Sequence, residues 1–162
     1  MKALARCLLL TVGLVSARAE ISRGQQPAAP VYANDPRLHL LTGFFERVRS
    51  PASAYAEDFL AAADRNGLDW RLLPSIAIVE SGGGRASRNN NILGWDSGRQ
   101  AFPSVGAGIH AVAVRLSVSK LYRDKNLEAK LTTYNRNRGY RFRVRRLMDS
   151  IAPPGRPAPD QD

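Results

Sequence analysis

The chain of 162 residues is poor in side chains that form cross-links or bind metals. Its one cysteine, Cys7, stands near the start, so no disulfide can form within the chain. The two histidines, His39 and His110, are far apart, and no carboxylate cluster with metal-ligand spacing accompanies them. These shortages exclude a disulfide framework, and we predict neither a metal site nor a cofactor.

Long apolar runs are also absent. The apolar stretch at residues 7–15 is about half of the roughly 20 residues that a membrane-spanning helix needs. It follows a basic start and precedes small residues that end at Ala19, a pattern typical of a secretory signal peptide. We therefore predict a signal peptide at residues 1–19, export to the periplasm or the extracellular space, and no stable membrane insertion.

At both ends of the remaining chain, apolar residues do not recur at the spacing of a helix or a strand. Residues 20–36 are rich in Gln, Pro and Ala and include one Gly, and residues 153–162 are rich in proline. Such composition is typical of segments that cannot bury a core, so we predict a disordered linker and a disordered tail. Residues 37–152 are then one domain, which we expect to be a monomer.

Within that domain the signals are helical. Ser50 before Pro51 is an N-cap with proline at the first helical position, and Asn66 before Gly67 is a stop signal. Segments with apolar residues at helical spacing follow Ser104 and Asn126, which are further N-cap residues, and another such segment starts at Tyr140. No segment shows sustained strand alternation, so the predicted fold class is all-α.

One more helix is expected to be capped by Asp69 and to end at the glycines after Ser81. Pro74 is unfavourable inside it, because an interior proline removes a hydrogen bond and clashes with the preceding turn. Alternatively, residues 70–73 form a separate turn and Pro74 begins the helix.

Glu80 is the acidic residue that points most clearly to chemistry. It lies four residues after Ile76 and three after Ala77, on the apolar face of the last turn. Partial burial and the negative end of the helix dipole should both raise its pKa. A carboxyl group that stays protonated near neutral pH can act as a general acid towards a glycosidic oxygen. The alternative is an exposed glutamate on a frayed helix end.

Residues 75–84, SIAIVESGGG, and residues 89–95, NNNILGW, closely resemble the catalytic region of bacterial β-N-acetylglucosaminidases of the autolysin and flagellar type. They also resemble soluble lytic transglycosylases. Thr133-Tyr134-Asn135 is similar to the tyrosine-asparagine pair that lines the transglycosylase cleft. The resemblance covers about residues 55–151 and implies a single lysozyme-like helical domain with a substrate cleft.

The resemblance also implies roles for the matching residues. Glu80 is the expected acid, and the Tyr134 hydroxyl is expected near the scissile sugar. Ser81 would support the acid or a substrate amide. The residues expected to shape and line the sugar-binding cleft are Asn91, Gly94, Trp95 and Asn135. Alternatively, Tyr134 and Trp95 are packing residues and the asparagines only turn the chain.

Asp96 is the nearest candidate for a second catalytic carboxylate. Paired carboxyl groups stand about 5.5 Å apart in retaining glycosidases and about 6.5 to 9.5 Å apart in inverting ones. Asp96 would hold a water or stabilise the oxocarbenium ion, although capping of the turn at Ser97-Gly98 is the favoured interpretation. Without a second acid, the substrate's N-acetyl group or a sugar hydroxyl must take part in the reaction.

Basic residues outnumber acidic ones, 24 to 14, and the formal net charge is +10. Loss of Lys2, Arg6 and Arg18 with the signal peptide would leave +7. A dense arginine run covers residues 136–146 and is usually the solvated face of a helix, though it also suits a polyanion. No recognised nucleic-acid-binding motif is present, so nucleic acid is not the predicted partner.

The predicted partner is instead the glycan strand of peptidoglycan. The leading hypothesis is an endo-β-N-acetylglucosaminidase-type hydrolase, and the alternative within the class is a lytic transglycosylase that forms anhydro-muramyl ends. A hypothesis of another class is a non-catalytic protein that binds or assembles the cell wall.

Overall fold

The computed structural model of the protein describes residues 32–153. The predicted signal peptide, most of the predicted linker and the tail from residue 154 lie outside this range. The described residues form six α-helices and no strand, which confirms the all-α prediction. The helices are α1 (Pro36–Arg47), α2 (Ala56–Arg65), α3 (Leu72–Ser81), α4 (Val105–Val118), α5 (Leu127–Tyr134) and α6 (Tyr140–Ile151).

The helix α1 was not expected, and the folded unit begins before residue 37. Asp35 caps α1 by accepting a hydrogen bond from the backbone N–H of Arg37 at 2.8 Å, and Pro36 occupies the first helical position. Tyr32, which the sequence places in the linker, is buried and donates a hydrogen bond to Asp64 at 3.0 Å. The predicted boundary between linker and domain at residue 36 was therefore wrong, because Asp35-Pro36 is a helix start signal and Tyr32 is buried in the core.

The other predicted helix starts are largely confirmed. The side chains of Ser104 and Asn126 cap α4 and α5, and α6 begins at Tyr140. Ser50 also caps a turn, but residues 51–55 form a 3₁₀ helix and the α-helix starts only at Ala56. The predicted stop at Asn66-Gly67 directly follows the end of α2.

The start of α3 differs from the sequence prediction. The Asp69 carboxylate accepts a hydrogen bond from the backbone N–H of Arg71 at 3.0 Å and forms an ion pair with its side chain at 2.6 Å. Asp69 therefore shapes the preceding turn, and α3 begins at Leu72. Pro74 is the third residue of α3, where the backbone N–H would have no partner within the helix, so it causes no break.

The helix α3 lies at the centre of the fold. Every residue from 72 to 77 is buried, and the helix packs against both α2 and α6. Its end is set by Gly82, whose left-handed φ of 62° turns the chain sharply. The last turn of this buried helix thus reaches the protein surface, carrying Glu80. No helix within residues 32–153 has the length and apolarity that crossing a membrane requires.

Candidate active site

Two adjoining grooves meet at Glu80. One groove has a volume of about 400 Å³ and the other about 640 Å³, and both are lined by Glu80, Gly94 and Ser97. The first continues along Trp95, Tyr134 and further residues, and the second along the polar segment 86–91. The open space therefore extends to both sides of the Glu80 carboxyl group.

The Glu80 side chain is half-buried, and burial raises its pKa. The Tyr140 hydroxyl and the positive charge of Arg143 oppose this rise, because both favour the ionised form. The pKa of Glu80 is therefore shifted in the direction that the sequence predicts, and desolvation is the main cause. The Glu80 carboxyl group is thus subject to opposing influences, of which burial is the largest.

Gly94 fits closely against this carboxyl group. A Cβ atom on residue 94 would lie 2.5 Å from Oε2 of Glu80, a distance that real Cβ contacts do not reach. The backbone at Gly94 also has a φ of +67°, which disfavours other residues. A side chain at residue 94 would therefore press on the Glu80 carboxyl group and strain the backbone, and the loop backbone lies directly against one side of that group.

Asn91 organises the loop that bears Gly94, residues 85–104, which we call the cleft loop. It is buried, and its side-chain N–H groups donate to the carbonyl oxygens of Trp95 at 2.8 Å and Gln100 at 2.9 Å. Its side-chain oxygen accepts from the backbone N–H of Trp95 at 2.9 Å. All three bonds stay within the loop, so Asn91 fixes the shape of the loop and also lines the second groove.

Ser81 ties the same loop to the end of α3. Its hydroxyl donates to the carbonyl of Ile92 at 2.7 Å and accepts from the backbone N–H of Gly84 at 2.8 Å. The side chain is buried, and it lies directly after Glu80. The hydroxyl therefore holds the helix end, the glycine turn and the cleft loop in one arrangement.

Aromatic rings form one wall of the cleft. The Trp95 ring lies 5.9 Å from that of Tyr122 and 5.6 Å from that of Tyr134, measured between centroids, and the Arg115 guanidinium stands 5.2 Å from the Trp95 centroid. Tyr122 and Gln100 also line the groove but were missed in the sequence. Neither belongs to a motif, and only the course of the chain brings them to Glu80.

Tyr134 and Asn135 reach the cleft from the end of α5. The Tyr134 hydroxyl donates to the carbonyl of Leu93 at 2.5 Å, and burial together with the charge of Glu80 raises its pKa well above the usual value. It therefore stays protonated and links α5 to the loop. The side-chain oxygen of Asn135 accepts from the backbone N–H of Asn137 at 3.0 Å, and Asn135 lines the groove.

Tyr140 is a site residue that the sequence did not single out. Its ring stacks on that of Tyr134 with centroids 6.1 Å apart and is fully buried. Its hydroxyl lies beside the Glu80 carboxyl group and has no hydrogen bond of standard geometry within the described residues. Its position in the apolar stripe of α6 indicated only a core residue, so the sequence carried no signal for this role.

Asp96 lines the same groove as Glu80 but has a different environment. It is exposed, it adopts a left-handed φ of 53°, and its carboxylate pairs with Arg99 at 2.5 Å. This pairing lowers the pKa of Asp96. Glu80 and Asp96 therefore have pKa values shifted in opposite directions.

No cluster of three or more potential metal ligands occurs within residues 32–153. No protein-family model matches the chain, and no curated protein matches it.

Proposed function

We propose that this protein is a lysozyme-like helical domain that cleaves the glycan strands of peptidoglycan, with Glu80 as the general acid. The observation that carries the proposal is a half-buried carboxyl group with a raised pKa at the point where two open grooves meet. A carboxyl group with these properties suits proton donation to a leaving glycosidic oxygen.

Grooves on both sides of Glu80 suit a polymer that is cut internally, with sugar units bound before and after the scissile bond. The exposed part of Trp95 offers a flat apolar surface to a sugar ring, backed by Tyr122 and Tyr134. After donating its proton, Glu80 becomes negative, and the neighbouring Tyr140 hydroxyl and Arg143 charge stabilise that form.

For the leading candidate, an endo-β-N-acetylglucosaminidase-type hydrolase, water must attack the sugar. Asp96 would orient that water or stabilise the positive charge developing on the sugar ring. Its low pKa keeps it ionised, as this role demands.

One observation favours the alternative, a lytic transglycosylase. Asp96 is exposed and paired with Arg99, and no carboxyl group other than Glu80 and Asp96 lines either groove within the described residues. A sugar hydroxyl would then attack the anomeric carbon as the glycosidic C–O bond breaks. Glu80 would give its proton to the leaving oxygen and take one from the attacking hydroxyl, so that an anhydro ring forms.

Digestion of purified peptidoglycan by the wild type and by Glu80→Gln, followed by mass spectrometry, tests the proposal. We expect the variant to release products about 10³-fold more slowly, because an amide cannot donate the proton. Reducing ends would identify a hydrolase, and anhydro-muramyl ends a transglycosylase. If both proteins bind the wall equally and neither releases fragments, the protein is a wall-binding or assembly protein.

A further inference from the structure

The helix α6 has three faces with different surroundings. One face is buried in the core, and it consists of Tyr140, Val144, Met148 and Ile151. A second face carries Arg141 and Arg145, which pair with Glu128 of α5 at 3.8 Å and 2.6 Å. The third face borders a groove, and it consists of Arg143, Arg146, Leu147 and Ser150.

The groove on this third face has a volume of about 480 Å³ and is completed by Ile78 and Val79 of α3. Its apolar side chains are Ile78, Val79 and Leu147. Neither Arg143 nor Arg146 forms an ion pair within residues 32–153, and no carboxylate is among the groove residues. The two guanidinium groups are therefore available to an anionic ligand that also has apolar groups.

The groove lies next to the proposed catalytic acid. Val79 directly precedes Glu80 on α3, and the charge of Arg143 lowers the pKa of Glu80. Two residues of the groove thus adjoin Glu80, one along the chain and one through its charge. A ligand held there would be positioned together with the glycan strand.

We propose that this groove binds the acidic peptide branch that peptidoglycan glycan strands carry, an inference that rests on the proposed function. Carboxylates of the branch pair with Arg143 and Arg146, since guanidinium groups bind carboxylates through two parallel hydrogen bonds. The methyl groups of its alanines contact Ile78, Val79 and Leu147. The groove would then favour strands that still bear peptides.

Calorimetric or NMR titration with a synthetic stem peptide tests the groove directly. We expect Arg146→Gln to weaken binding of the free-acid peptide about fivefold, and amidation of the peptide's carboxylates to weaken binding to the wild type similarly. Arg145→Gln is the matched control, because it removes the same charge from the neighbouring face that pairs with Glu128. Equal effects of the two substitutions, or no peptide binding, would overturn the proposal.

Cleavage of peptide-bearing and of peptide-stripped glycan strands separates this inference from the proposed function. Arg146→Gln should lower kcat/KM on peptide-bearing strands about fivefold and leave cleavage of stripped strands unchanged. A wild type that binds the peptide but cleaves neither strand refutes the function. If the wild type is active and Arg146→Gln cleaves both kinds of strand at the wild-type rate, the groove assignment is refuted. Equally tight binding of an unrelated acidic peptide of the same charge refutes it as well.

Discussion

At the scale of single residues, the Glu80 carboxyl group is influenced by groups that act in opposite directions. Burial raises its pKa, whereas the Tyr140 hydroxyl and Arg143 lower it. A general acid must be protonated, so the rate should fall as the pH rises through the pKa of Glu80. The basic limb of the pH–rate profile therefore measures the pKa that these opposing groups give to Glu80.

Tyr140→Phe removes one of the two groups that favour ionised Glu80. The pKa of Glu80 then rises further, and the basic limb of the pH–rate profile should move to higher pH. Stability should change by less than about 1 kcal/mol, because the hydroxyl has no well-formed hydrogen bond. Tyr122→Phe, at another ring of the cleft wall, is the control that should leave the limb in place. A shift to lower pH would contradict the assignment.

Gly94→Ala should displace the acid. Both this change and Gly98→Ala place alanine at a positive φ, +67° and +78°, at a cost of about 1–2 kcal/mol each. Only the methyl group at residue 94 meets Glu80, since nothing lies within 4 Å of a Cβ on residue 98. We expect a loss of activity of about 10²-fold for Gly94→Ala and little loss for Gly98→Ala. Muropeptide release and urea denaturation measure the two effects, and equal activity losses would argue against close packing of Gly94 on the acid.

At the scale of elements, the site is built where the end of α3 meets the cleft loop and the end of α5. Ser81 and Asn91 fasten the loop, and Tyr134 links it to α5. Residues that the motif resemblance marks for substrate contact thus hold the architecture through buried hydrogen bonds. Each of them also lines a groove: Gly94, Trp95, Tyr134 and Asn135 line the first, and Ser81, Asn91 and Gly94 line the second.

Ser81→Ala should weaken this junction. It leaves the Ile92 carbonyl and the Gly84 N–H without their partner, and we expect a loss of about 2–3 kcal/mol in the free energy of unfolding, with lower activity. Ser87→Ala removes one local hydrogen bond to Gly84 from a less buried site and should cost under about 1 kcal/mol. Chemical denaturation of both variants provides the comparison, and similar losses would show that the Ser81 link contributes little.

At the scale of the whole molecule, the chain carries an excess of positive charge, and many of its arginines are exposed. The sequence carries a net charge of +10, and five of the six arginines from Arg136 to Arg146 are exposed. Such a surface attracts an anionic polymer over distances set by the salt concentration.

Binding to purified cell wall should therefore weaken about tenfold between roughly 0.1 M and 1 M salt, where the screening length falls from about 10 Å to about 3 Å. Cleavage of a short uncharged chito-oligosaccharide should change little over the same range. Sedimentation with cell wall measures the first and product analysis the second. Salt-independent wall binding would show that the surface charge plays no part.

The sequence by itself determined the helical class, the starts of α4, α5 and α6, the ends of α2 and α3, and the half-buried position of Glu80. These depend on local rules, namely capping residues, glycine turns and apolar spacing, which act within a few residues. Even here Asp69 was misread, because its carboxylate bonds to the backbone of the turn before α3.

Only the tertiary structure decided what surrounds Glu80. Gly94 and Tyr122 lie in two separate loops, Tyr140 and Arg143 lie in α6, and no local pattern relates these three segments. Their meeting depends on how α3 packs against α6 and on the path of the cleft loop. The pKa of an acid depends on desolvation and neighbouring charge, which only this packing sets.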